Sequence, residues 1–264
     1  GVWYWRFSEQ RRESHRLHQD ALTACTEAVD QNSTAQKALA KALADAKSAQ
    51  SITADQVADG ATVDALKKAI AVVKNVEAVE CKTSASTSDL KEYAKTATSQ
   101  TKTAKKNATA ITAAAKAVTD SKNAKDQANA QQALQGKIAE AQTLLDNSLY
   151  AVDDNSTRVT LESDIANANT VLSQQGTDVK AMQDAVNVLT ASMDAVNTSM
   201  ANYSAAVEAQ REAARQKALN DYYARLRQQQ LLQQQQPTQS DGTGDQETEP
   251  KDDQEKKPND EPKP

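Results

Sequence analysis

The stretch AVDQNST at residues 28–34 returns, with one letter changed, as AVDDNST at residues 151–157. Its composition is that of helix punctuation. Asp, Asn, Ser and Thr side chains accept hydrogen bonds from the free N–H groups that open a helix, so the run reads as one helix ending and another beginning. Ser33 and Gln36 have the capping-box spacing in addition.

Working outward, apolar residues fall at helical spacing on both sides of each copy. Upstream of the first, a helix from about Ser8 carries Leu17, Ala21, Ala24 or Cys25, and Ala28. Downstream, ALAKALADAKSAQ places Leu39, Leu43, Ala46 and Ala49 on one face, and a third helix carries Val63, Leu66, Ile70, Val73 and Val76. Around the second copy, LQGKIAEAQTLL carries Leu134, Ile138, Ala141 and Leu145, and TLESDIANANTVL carries Leu161, Ile165, Ala168 and Leu172. AMQDAVNVLTASMDAV then carries Met182, Val186, Leu189, Met193 and Val196. A shift of 123 residues (151 minus 28) superposes the two sentences and sets Val63 on Val186 and Leu66 on Leu189. The expectation is a three-helix plan written twice.

CKTSASTSD separates the copies, and residues 88–118 read as one long Ala/Thr/Lys helix with a weak apolar face, followed by a bend or cap at TDSKN. No stop signal lies between Val196 and Pro237, so the last helix should run past Tyr203 into QQQLLQQQQ.

The composition agrees with a helical body. From Ser8 to Gln236 there is no proline and only three glycines, Gly60, Gly136 and Gly176. All five prolines lie in the last 28 residues, with nine acidic residues and four lysines. That tail, 237–264, reads as acidic disorder, since it has no large apolar residue to bury. It carries the whole net charge of −5. A neutral, interspersed body offers no footprint for nucleic acid.

The expected fold class is therefore all-α: two antiparallel three-helix bundle units joined by a long helix, elongated, with a disordered tail. The boundaries are 8–87 for the first unit, 88–120 for the connecting helix, 121–203 for the second unit and 204–236 for a helical extension. Residues 1–7, GVWYWRF, hold four of the nine aromatics beside Arg6. Large rings beside an arginine are the composition of a membrane–water interface. The chain begins at Gly1 rather than Met, and the expectation is that a membrane span precedes it; a local aromatic cluster is the alternative.

L-x3-I-x2-A-x2-V-L over residues 161–172 and M-x3-V-x2-L-x3-M-x2-V over 182–196 resemble the FIVAR-type three-helix repeats of Gram-positive, actinobacterial-type cell-surface proteins. The resemblance is best over 134–196 and weaker over 17–76. Where that family often has an aromatic at the start of its second helix, this chain has Arg158 and Val159. The resemblance implies an extracellular, repeated, non-catalytic module with a cell-wall, carbohydrate or protein surface partner.

Cys25 and Cys81 are the only cysteines. In an up-down-up bundle the first and third helices are parallel, so a cysteine late in each meets the other at one end. A disulfide is expected, which favours an oxidising compartment; two buried thiols are the alternative. His15 and His18, spaced i, i+3, lack a third ligand and read as a solvated face rather than a metal site. No nucleophile–base pair, glycine-rich phosphate loop or G-x-S-x-G is present in the sequence, so neither an enzyme nor a cofactor is expected. The N-x-S/T triplets at Asn32, Asn107, Asn155, Asn197 and Asn202 arise readily by chance in so Asn- and Ser-rich a chain. Two function classes remain. The first is a membrane-tethered extracytoplasmic stalk, spacer or binding module. The second is a cytoplasmic-facing, membrane-attached coiled-coil scaffold, which Arg6, Arg11, Arg12 and Arg16 favour because positive charge beside a span tends to stay inside.

Overall fold

A computed structural model describes residues 2–174, 176 and 178–237. Among them the chain is all-α, with no strand. Helix α1 spans Val2–Asp45, and the short α2, Lys47–Gln50, follows after one kinked residue. A 3₁₀ turn at Ala54–Gln56 leads to α3, Ala61–Ala71; then come α4, Thr87–Asn147, α5, Ser156–Ser173, and α6, Val179–Gln234. The expected disorder of the tail falls on residues outside those described.

The first sentence does not punctuate. AVDQNST lies inside α1, which runs through it without a break. The separate helices expected to end and begin there are one helix. AVDDNST does punctuate: α4 ends at Asn147 and α5 begins at Ser156. The third helix is also shorter than its apolar spacing suggests, since residues after Ala71 leave the helix and continue as an irregular segment to Ser86.

The long helix 88–118 is not a connector. It is the first half of α4, and it is a packed leg of the first bundle. Leu90, Ala97, Ala104, Ile111 and Val118 recur every seven residues along it and are all buried. Ala104, Ile111 and Val118 pack with Ala35, Leu39, Ala42, Ala46 and Ala49 of α1–α2 and Val63 and Leu66 of α3, and Leu90 is set against Ala21 and Cys25. α1 and the first half of α4 run parallel, because Leu90 meets Cys25, Gln100 meets Asn32 and Thr119 faces Ala49. α3 and the segment after it run back between them.

The second half of α4 begins a second bundle. Ala130, Leu134, Ala141 and Leu145 pack with Leu161, Ile165 and Ala168 of α5 and with Met182, Leu189 and Val196 of α6. From Val118 to Leu134 is 16 residues (134 minus 118), so at about 100° per residue the buried stripe turns by about 160° around the helix. One continuous helix thus serves two cores with nearly opposite faces. Each buried Leu or Ile in these stripes contributes about 2 kcal/mol through the apolar area it removes from water.

The structure does repeat, but one helix out of step with the repeat read from AVDQNST. Ala35, Leu39, Leu43 and Ala46 of α1 correspond to Ala130, Leu134, Ile138 and Ala141 of α4, a shift of 95. The same shift takes Val57, Leu66 and Ile70 to Val152, Leu161 and Ile165. A shift of 78 takes Ala104, Ile111 and Val118 of α4 to Met182, Leu189 and Val196 of α6. The hydrogen bonds repeat as well. Ala58 N–H donates to the Ser121 carbonyl (3.0 Å) and Asp59 N–H to Ser121 Oγ (2.8 Å). In the second bundle Asp153 N–H donates to the Ser199 carbonyl (3.1 Å) and Asp154 N–H to Ser199 Oγ (2.8 Å). Then Asp59 Oδ1 accepts from Ala61 N–H (3.0 Å), as Asp154 Oδ1 does from Ser156 N–H (2.8 Å). The structural partner of AVDDNST is therefore QVADGAT, residues 56–62.

The chain divides into two compact units, Gly1–Ser204 and Ala205–Pro264. Both bundles belong to the first. In the second unit, α6 from residue 208 is exposed on every side, and Glu208 and Glu212 pair with Arg215. Such exposed pairs add only tenths of a kcal/mol each.

Candidate functional site: a disulfide-pinned strap

The two shifts differ by 17 residues (95 minus 78), which is the extra chain the first bundle carries between α3 and α4. Most of it is the irregular segment 72–86, and Cys81 lies within it. Its backbone makes few bonds of its own, so side chains hold it. Cys25 and Cys81 form a disulfide with their α-carbons 5.9 Å apart, inside the span such a bridge requires. The pairing matches the expectation; the expected geometry does not. Cys81 is not late in a helix parallel to α1 but on a segment running back along it.

Two further ties flank the bridge. His18 Nε2 is 3.0 Å from the Ala85 carbonyl, which can only accept, so His18 is the donor. On the other side, Gln100 Nε2 donates to the Glu77 carbonyl (3.1 Å). Gln100 Oε1 in turn accepts from Asn32 Nδ2 (2.7 Å), and Asn32 Oδ1 accepts from Gln36 Nε2 (3.2 Å). Asn32, read in sequence as a cap, is thus a buried bridge from α1 to α4. Cys25 is fully buried with Ala21 and Leu90, and Cys81 lies half-buried beside them.

Of the two histidines only His18 joins the strap; His15 is exposed, and among the described residues no group of three His, Cys, Asp or Glu could hold a metal ion. Asn32 is buried, which removes one N-x-S/T triplet from the surface. Arg158, noted in sequence as a departure from an aromatic, has a definite task. Its Nη2 donates to the Leu145 carbonyl and its Nε to Ser148 Oγ, both at 3.0 Å, so its positive charge closes the carboxyl end of α4. Asp154, beside it, holds its carboxyl below the usual carboxylate range because Ser156 donates to it from both hydroxyl and backbone.

The amino-terminal end of α1 is the other distinctive surface. Trp3, Tyr4, Trp5 and Phe7 are exposed, Trp3 at 91%. No ring of the four stacks on another, and the Phe7 ring is covered by the Arg11 guanidinium, 4.9 Å from its centroid. No helix among the described residues is long and apolar enough to cross a membrane. Sequence reasoning missed the strap's side-chain ties, because His18, Asn32 and Gln100 are ordinary helix-surface residues until a non-helical segment is laid over them. Compared with protein-family models, curated proteins and solved structures, the chain matches none.

Proposed function

We propose that this chain is a non-catalytic, membrane-tethered helical module that works outside the cytoplasm, as a stalk, spacer or binding surface for a cell-wall, carbohydrate or protein partner. The observation that carries the reading is the Cys25–Cys81 disulfide. It ties down a segment with little secondary structure of its own, so the first bundle depends on an oxidising compartment to be complete. The exposed rings and arginines at the start of α1 support the tether. The resemblance of residues 134–196 to FIVAR-type surface repeats supports the surface role.

The experiment is thiol trapping in the intact source cell. A membrane-permeant maleimide added before lysis, followed by reduction and a mass-tagging maleimide, should find both cysteines protected. Protease added outside the cell should cleave the chain. Free thiols in a protease-resistant chain would refute the reading and favour a cytoplasmic-facing scaffold, for which Arg6, Arg11, Arg12 and Arg16 speak.

A further inference from the structure

We infer that the first four turns of α1, Trp3–Arg16, bind the headgroup layer of a bilayer containing anionic lipid. The inference deepens the tether proposed above by naming its partner chemistry, and it needs no span upstream of Gly1. At about 100° per residue, Trp3, Tyr4, Trp5 and Phe7 point to about 0°, 100°, 200° and 40° around the helix. A second helix or a protein groove covers one stripe of about 100° and leaves the others in water. A bilayer interface surrounds the helix end and accepts rings on all sides.

The charges select the lipid. Arg6, Arg11, Arg12 and Arg16 outnumber Glu9 and Glu13 along the same turns. Glu13 is engaged by Arg16 at 2.8 Å, and Arg6 and Arg12 have no ion-pair partner among the described residues. Arg11 lies over the Phe7 ring and brings one guanidinium to the ring layer itself, while Arg12 and Arg16 lie one to three turns further along the helix, where headgroup phosphates would lie. The aromatic end would therefore sit in the interface and the arginines would face lipid phosphates, with attraction that falls within a Debye length of the surface.

The chain reports on this directly. Trp3 and Trp5 are its only tryptophans, so its tryptophan emission comes from this segment alone. The full chain is mixed with vesicles of phosphatidylcholine, or of phosphatidylcholine with phosphatidylglycerol, and followed by emission and flotation. The expected result is a blue shift and flotation with the anionic vesicles, both weakened by salt. Arg11→Gln with Arg12→Gln should weaken partition roughly thirtyfold, each basic residue near an anionic surface counting for about fivefold. Trp3→Ala with Trp5→Ala should abolish flotation. Equal binding to both vesicle types, or binding to neither, would overturn the inference. So would a blue shift that grows with protein concentration in the absence of vesicles, which would assign the surface to a second copy of the chain. None of these outcomes bears on the thiol-trapping result, so the two readings fail separately.

Discussion

AVDQNST and AVDDNST differ at one position, Gln31 against Asp154, yet one is the interior of a helix and the other a helix break. The changed residue is the one that closes the turn. Asp154 takes the Ser156 backbone N–H at 2.8 Å and the Ser156 hydroxyl at the same distance. Glutamine, one methylene longer and neutral, lacks that short acceptor reach and is at ease inside a helix. Four residues on, Arg158 caps the end of α4, while Ala35 at the matching place packs into the first core. Tyr150 adopts a φ of +59°, a left-handed turn that ends α4, where Glu27 stays helical. The larger difference lies upstream. The residues 123 places before Leu134, Ile138 and Ala141 are Arg11, His15 and His18, so the apolar stripe before the first copy is short, and its Ala21 and Cys25 pack against Leu90 rather than against a helix folded back from residue 32. A cap only licenses a break. Burial on both sides decides whether the break occurs.

The comparison can be broken most forcefully at the bridge. The strap has no counterpart in the second bundle, so removing the Cys25–Cys81 link by reduction or by Cys81→Ser should destabilise the first bundle alone. The links lie 56 residues apart, and a loop of that size is worth about 4 kcal/mol in the chain-entropy model. Denaturant unfolding followed by hydrogen exchange should show early exchange in residues 18–100 and an unchanged second core. An equal loss in both bundles would remove the distinction.

The same substitution at the same place in the two sentences sharpens it. Asn32→Pro breaks a continuous helix and should cost about 3 kcal/mol or more. Asn155, the N-cap of α5, has a φ of −68° that proline adopts, so Asn155→Pro should cost less than about 1 kcal/mol. Asn32→Ala separates the lost bond to Gln100 from the backbone effect. Thermal melts of the three variants decide this.

A smaller effect tests the repeat by shifts of 95 and 78. Ser121 and Ser199 hold equivalent clasps, so Ser121→Ala and Ser199→Ala should each cost about 1 kcal/mol and by similar amounts. A neutral Ser121→Ala beside a costly Ser199→Ala would deny the equivalence. The smallest effect is the acid limb. The lowered pKa of Asp154 means that its contribution is present above the ordinary carboxylate pKa and is lost as pH falls through the depressed value. Asp154→Asn should flatten that part of the stability profile.

Helix class, the α5 and α6 stripes, the run of α6 past Tyr203 and the cysteine pair were all legible, because each rests on local spacing or on the count of cysteines. The register of the repeat was not. Val57, Asp59 and Thr62 match Val152, Asp154 and Thr157, but in sequence QVADGAT shares only three letters with AVDDNST, whereas AVDQNST shares six. Similarity of letters outweighed similarity of role. The strap was hidden for a related reason: Val73 and Val76 continue the helical spacing of Val63, Leu66 and Ile70, but only Val73 reaches the core, and the exposed Val76 gives a helix past Ala71 no partner.

The central claim, that one sentence is helix and its near-copy is not, is tested most directly by amide hydrogen exchange of the native, unreduced chain, read residue by residue. Residues 29–34 should exchange slowly, as members of a helix packed against α4. Tyr150 and Val152 should exchange fast, with Asp153 and Asp154 protected through Ser199. Fast exchange across residues 29–34, matching that of Tyr150 and Val152, would contradict the account and restore two equivalent helix breaks.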